Sequence, residues 1–515
     1  MIGLAVFLAV SRPINLFTAD LGRHLKNGEI VLRQGLDSQV LTTSYYSYTH
    51  PDFPAINHHW LFGVMAYGLW RMGGFTLLSV VNGLAIACGV VIMVYATRFS
   101  QKKWGVLVAV ILCFPLLVSR FEVRPETLSF LWAAIYWLIL TRWQKGASPW
   151  WLVTLIPLQI IWTNSHIFFP LGLAIMAGFG VGLSVDCLIQ RDRAKLKSLQ
   201  ILAITGLTSL IASLFNPFGW KLVVAPLTLF TNYNYLVVEN QSPFFLIKQA
   251  IATNLQYYVL GFVGLCALSL LLLWWKRRNI GQLLPLTLIM VLMIVGGLKI
   301  MRVYPYLGLF ALPVLATSVN FLIFEFANIT KYFKKRYIDF IWPVFSLVFL
   351  AILFLIIKSG LFLPNPQLIG WGLMKNSQTA GRFFNSLSLK GHVFNNYDIG
   401  GYLIHQLPDQ SVFIDNRPAE YPGEFFDEYK LAQTDDHAWQ NLVKKYHITS
   451  IFFYRHDLTP WAQQFLIARS QDPDWIPVYV DSYSIIFVSQ IPANQAIIDK
   501  YQLDRSIFQV VKNDG

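Results

Sequence analysis

Charge is the scarcest ingredient of this chain: Asp, Glu, Lys and Arg make up 13% of its 515 residues, while 55% are hydrophobic. The apolar residues are gathered into long runs rather than spread at amphipathic spacing. That excludes an ordinary soluble protein and points to an α-helical polytopic membrane protein. Cysteine is nearly as sparse. Cys88, Cys113, Cys187 and Cys266 all lie in apolar runs, and residues 360–515 contain none, so no disulfide framework or thiolate metal site is expected outside the membrane. Internal repeats and low-complexity tracts are absent. A cleavable signal peptide is not expected either, because the first apolar run lacks a basic leader and runs into Asp20 instead of a small-residue cleavage site. That run is short and broken by Arg12 and Pro13, which leads to the expectation that part of the first helix lies before Met1.

What is present in quantity is membrane-length sequence. Runs at 75–96, 168–189, 257–275, 303–326 and 340–357 match the roughly 20 residues a helix needs to cross hydrocarbon, and lipid leaves the backbone no alternative to a helix. The formal charge of +13 is unevenly placed: residues 1–359 hold 28 Lys+Arg against 11 Asp+Glu, and residues 360–515 hold 12 against 16. The surplus sits in short loops between spans, which reads as membrane orientation and not as a nucleic-acid surface. Basic loops at 98–103, 142–145, 191–197, 276–278 and 331–336 are placed in the cytoplasm. Eleven crossings follow, near 2–17, 75–97, 104–119, 125–142, 150–164, 167–189, 198–215, 256–275, 281–299, 303–327 and 338–358. Residues 58–70 are read as a juxtamembrane helix in the interface.

The expected organisation is a transmembrane domain over residues 1–359, with a large first outer loop at 18–74, and an extracytoplasmic soluble α/β domain over 360–515. Gly360 and the Pro-Asn-Pro at 364–366 mark the linker. Strands are predicted at 392–395, 411–415, 449–454, 475–480 and 484–488, the last two as a hairpin, with helices around 377–387, 423–433, 437–446 and 460–469.

Polar residues are concentrated in the outer connections at 18–57, 119–126, 163–167, 216–254 and 299–304. Asp20 follows the first apolar run directly, a costly place for an ionisable group. Transfer of a sugar from a polyprenyl phosphate needs cationic donors on the phosphate, preferably Arg, a carboxylate to take the acceptor proton, and an apolar groove for the lipid. Asp20 is therefore the candidate base, and Arg120, Arg124, Lys299 and Arg302 are candidate phosphate-binding cations. Arg120 and Arg124 flank an outer turn, where the orientation rule does not call for positive charge. The bland alternative for Asp20 is an N-cap of a helix beginning at Leu21. Candidate substrate contacts are His24, His58, His59, Asn164, His166, Glu239 and Gln241. Asp20 and His24 share a helical face, but a divalent metal would need a third ligand that the sequence does not supply. No cofactor is firmly predicted and no metal ligands are assigned.

Asp-Leu-Gly-Arg-His at 20–24, Ser-Tyr-Thr at 47–49 and Pro-Ala-Ile-Asn-His-His-Trp-Leu at 54–61 resemble the first outer loop of bacterial GT-C type, PMT-like glycosyltransferases that use dolichyl- or polyprenyl-phosphate sugars. Arg-Pro at 124–125, Asn-Ser-His at 164–166, Asn-Pro-Phe-Gly at 216–219 and Glu-Asn-Gln-Ser-Pro at 239–243 are similar to motifs of that group. So are Asn-Tyr-Asp-Ile-Gly-Gly-Tyr-Leu-Ile at 396–404 and Phe-Ile-Asp-Asn-Arg-Pro at 413–418. The resemblance implies a multi-pass protein of the bacterial cytoplasmic membrane and inverting transfer outside the cytoplasm. It also implies a polyprenyl-phosphate-linked sugar donor, a glycan, lipid or protein acceptor, and Asp20 as base. Ala19 stands where many members carry a second acidic residue, and His59 replaces the Glu of the family's Asn-His-Glu-Trp element. In the tail, Gly400–Gly401 is read as a turn needing positive φ, Asp415 and Arg417 as an internal ion pair, and both motifs as structural support for the membrane site. The competing classes are a transporter or flippase, which calls for charges near the midplane and paired broken helices, and a non-catalytic membrane scaffold.

Overall fold

A computed structural model describes residues 1–18, 20–98, 103–190, 193–228, 235–275, 280–329, 369–457 and 459–508. The predicted crossing at 338–358, the linker at 360–366, the basic loops at 276–278 and 331–336, and parts of the loops at 98–103 and 191–197 lie outside the described residues. The chain forms two compact units, one of residues 1–12, 79–226 and 236–371, the other of residues 13–78, 227–235 and 372–515. The first outer loop thus folds with the C-terminal residues.

The first unit is a helical membrane domain. Helices at Lys103–Leu117, Glu126–Gln144, Leu155–Ser165, Pro170–Gln190, Arg193–Ala212, Asn254–Trp275, Ile280–Lys299 and Tyr304–Ile329 fall on predicted crossings. Five described helices are long and apolar enough to cross a membrane: 60–97, 170–189, 254–275, 280–299 and 301–323. The helix Ile2–Val10 has nine residues and stops well short of the expected 2–17, because Pro13 has no N–H for the ladder. Helices meet closely where small residues permit it. A Cβ on Gly105 would lie 2.5 Å from the Ala316 carbonyl oxygen, and one on Gly182 would collide with that of Gly281. Between the helices, Trp132, Tyr136, Trp137, Trp162, Phe179 and Phe310 fill an aromatic core.

The helix Trp60–Arg98 is broken at Gly73 and Gly74, whose φ values are −153° and +62°. Only glycine adopts the second without strain, so the amphipathic 58–70 segment and the 75–97 span are separate rods.

The second unit carries a four-stranded sheet of β1 (His392–Asn395), β2 (Ile448–Tyr454), β3 (Trp475–Val480) and β4 (Ser484–Ser489) in the order β1-β2-β4-β3, parallel only between β1 and β2. The β3–β4 hairpin is as expected. Asp481 closes its turn by accepting the N–H of Tyr483 and Ser484 at 2.8 and 2.7 Å. Residues 411–415 depart from expectation, since they form one isolated bridge, Val412 with Ser47, in place of a strand. Asn395 explains this: its side chain accepts the Phe413 N–H at 2.9 Å and donates to the Ile414 carbonyl at 2.7 Å, so a side chain satisfies backbone groups that a neighbouring strand would otherwise bind. Two helices were not anticipated, Gly400–Gln406 and Gln495–Tyr501.

Candidate functional site

Asp20 sits at the N-cap position of the helix Leu21–Gln34, but its side chain makes no capping bond. One carboxylate oxygen instead accepts from the Asn416 amide, and the other lies 3.5 Å from the Arg23 guanidinium. Its side chain keeps 26% exposure while Arg23 is buried. Asp20, Arg23 and Asn27 recur at helical spacing and so share one face.

The loop bearing Asn416 is tightly fixed. Arg417 grips Asp415 with two donors, Nε at 2.8 Å and Nη2 at 2.6 Å, and also contacts Glu420. Asp415 is fully buried, and a paired, bidentate geometry is what permits a charge there. The expected ion pair is present. Burial works to lower the Arg417 guanidinium, but the carboxylates of Asp415 and Glu420 outweigh it and hold it well above its usual range. Burial pushes the Glu420 carboxyl up to about 7 against the pull of Arg417. Tyr421 Oη completes the loop by accepting the Asp415 N–H at 2.9 Å.

Glycine brings the motifs together. Neither Gly400 nor Gly401 has a positive φ, which corrects the turn reading: their role is close approach. A Cβ on Gly400 would collide with Asp415 Cα, and a Cβ on Gly22 would lie 2.5 Å from the Gly401 carbonyl oxygen. The Asp-Leu-Gly-Arg-His, Gly-Gly-Tyr and Asp-Asn-Arg-Pro segments are therefore packed on one another. Gly28 meets the Gly63 carbonyl in the same way.

His24 is buried. Its ring stands edge-on to His59 at 5.4 Å and to Phe62 at 5.1 Å, and His59 lies 3.8 Å from the ring of His58. Three of the four histidines expected to bind substrate, His24, His58 and His59, are thus neighbours. No group of three or more His, Cys, Asp or Glu is placed to hold a metal among the described residues.

In the membrane unit, three of the four expected cations gather around carboxylates. Arg120 binds Glu126 through Nε at 3.0 Å and Glu239 through Nη1 at 3.0 Å. Arg124 reaches Glu239 at 2.8 Å and Glu122 at 2.7 Å, and Arg302 reaches Glu239 at 2.9 Å. Burial works to raise the Glu239 carboxyl, but Arg120, Arg124 and Arg302 together hold it well below the usual carboxylate range. Three guanidinium groups converging on one oxyanion is the geometry that also suits a phosphate. A cavity of about 20 Å³, roughly one water's worth of space, lies beside Arg120, Glu122, Arg124, Glu126 and Tyr306. Glu122 and Glu126 were not among the expected site residues, although as acids flanking Arg124 on either side they were legible partners.

Lys299 is exposed at the end of its helix, outside this cluster. Gln241 donates to the Val237 carbonyl at 3.2 Å and its own backbone carbonyl accepts from the Met301 N–H. Asn164 ties down the Ile160 and Phe215 carbonyls at 2.8 and 2.9 Å, and His166 bonds Ser129 at 2.7 Å, both buried. They hold helix ends together within their unit.

No family model matches the chain, and no curated protein sequence does. Solved structures are similar in fold. The archaeal oligosaccharyltransferase AglB from Archaeoglobus fulgidus, in complex with an inhibitory peptide and a dolichol-phosphate, aligns with a TM-score of 0.54 at 12% identity over 95% of this chain and 74% of its own. ArnT from Cupriavidus metallidurans in the apo state aligns with a TM-score of 0.50 at 12% identity over 94% and 96%. At that identity the likeness is one of fold, and it agrees with the helices and the small sheet built up above: the chain is a multi-pass helical membrane protein with the GT-C fold.

Proposed function

We propose that the protein is a glycosyltransferase that moves a sugar from a polyprenyl-phosphate donor to an acceptor outside the cytoplasm, with Asp20 as base. Asp20 takes the proton of the acceptor nucleophile, whose lone pair attacks the anomeric carbon. The bond from that carbon to the phosphate oxygen breaks with inversion, and polyprenyl phosphate leaves with the electron pair. Cationic hydrogen-bond donors stabilise the charge that develops on the departing phosphate. Catalysis of this kind is positioning and charge stabilisation, and it needs no covalent enzyme intermediate.

One observation carries the reading. In a GT-C fold, an aspartate at a helix N-cap leaves its capping bond unmade and keeps a partly exposed carboxylate fixed by side chains. In proteoliposomes supplied with radiolabelled polyprenyl-phosphate hexoses, pentoses and aminosugars, Asp20→Asn is expected to abolish sugar transfer and release of polyprenyl phosphate. Transfer by that variant at the wild-type rate would sink the assignment.

A further inference from the structure

We infer that Asn416 is a positioning residue for Asp20, the group that keeps the carboxylate turned away from its helix and towards the reacting centre. This rests on Asp20 being the base. An aspartate at an N-cap ordinarily folds its carboxylate back onto the first-turn N–H groups. Here that bond is absent, and among the described residues the side-chain partners of Asp20 are Asn416 and Arg23.

The chain around Asn416 is built to deliver one amide. Asp415 and Arg417 pair with each other across a bend at Asn416, and the Asn416 amide donates to Asp20. The backbone is held on the N-terminal side. Ile414 accepts from Asn395, the Asp415 N–H is bound by Tyr421, and the missing Cβ of Gly400 lets Asp415 approach. Gly401 lies beside the side chain, since a Cβ there would stand at van der Waals distance from both its terminal atoms, 3.4 and 3.5 Å.

Asn416 also carries a cost that simple packing does not explain. Among the described residues its buried Oδ1 has no hydrogen-bond partner, and an orphaned buried acceptor is destabilising. The amide thus commits its donor to Asp20 while its acceptor goes unmet. An amide suits this role because it fixes a carboxylate's direction without adding a formal charge beside a group that must accept a proton.

The test compares Asn416→Ala and the near-isosteric Asn416→Asp with Asp20→Asn and wild type, in the proteoliposome assay with the mixed polyprenyl-phosphate sugars. Activity is normalised to the folded fraction from gel filtration, and thermal unfolding is measured alongside. We expect Asn416→Ala to lower kcat by about 10- to 100-fold, as loss of an orienting partner does elsewhere, with KM for the donor within about twofold. Asn416→Asp, which swaps the donor for a second anion at equal volume, is expected to fall further still per folded molecule and to melt somewhat earlier than wild type, because two carboxylates then share one contact. A space-filling role predicts the reverse order, with Asn416→Asp near wild type. If Asn416→Asp retains wild-type kcat while Asp20→Asn is dead, the inference fails and the role of Asp20 stands. If Asp20→Asn is active, the reading of the base fails instead.

Discussion

Arg124 meets Glu239 with Nη1 at 2.9 and 2.8 Å from its two carboxylate oxygens, although 115 residues separate them in the chain. With Arg120 and Arg302 on the same carboxylate, Glu239 is the hub of the cluster. Replacing it by Ala leaves three partly buried guanidinium groups without their shared anion, so the variant is expected to lose about 3 kcal/mol of stability, read as an earlier thermal unfolding transition. Added inorganic phosphate should restore part of the loss in Glu239→Ala and none in wild type.

The same hub predicts an acid limb. Glu239 is held below the usual carboxylate range, so the folded state favours its charged form. Its stabilisation is present above the unfolded value of about 4.5 and is lost as pH falls towards the depressed folded value. Unfolding of the wild type should become easier below pH 4.5, and Glu239→Gln should flatten that limb.

Glu420 has the opposite sign. Its carboxyl is raised to about 7 in the fold, so its contribution is complete below about pH 4.5 and is lost as pH rises through 7. The physical reason is that Arg417 is already committed to Asp415 with two bonds, and burial decides the remaining acid. Glu420→Gln should abolish the fall in stability between pH 4.5 and 7, measured as the shift in unfolding temperature across that window.

Much of this architecture was legible because its signals are local. Long apolar runs mark the positions of spans, and the 481–483 turn declares its hairpin. The identities of Asp20 and the arginines were equally visible as ionisable groups in unusual places. Partnership was not. That Asp20 bonds Asn416, 396 residues away, depends on glycines whose spacing carries no pairing signal. Residues 411–415 have strand composition, yet the Asn395 side chain satisfies their backbone in place of a neighbouring strand. Asn164 and His166 also bond neighbouring groups within their unit, a partnership that polar residues at helix ends do not announce in sequence.

Substitution of Gly22 by Ala tests the packing that brings the motifs together. The new Cβ would sit 2.5 Å from the Gly401 carbonyl oxygen and 2.9 Å from His405 Cβ, and backbone on the far side cannot rotate away as a side chain can. Overpacking of this kind costs about 1–3 kcal/mol. Gly22→Ala should unfold earlier than wild type and lose transfer beyond what its folded fraction explains, because the Asn416 loop is displaced with Gly401.

Asp20→Ser separates capping from catalysis. Serine is as good an N-cap as aspartate, and the native side chain makes no capping bond to lose. Serine can keep the helix Leu21–Gln34 capped, but the buried Arg23 and the Asn416 amide lose their shared carboxylate, so the fold should persist with a somewhat earlier thermal unfolding than wild type. A hydroxyl does not serve as a base near neutral pH, so transfer from polyprenyl-phosphate sugars should fall to background. A variant that keeps both its fold and its rate would show that residue 20 matters only as a helix start, whereas an intact fold with no turnover isolates the carboxylate as the functional group.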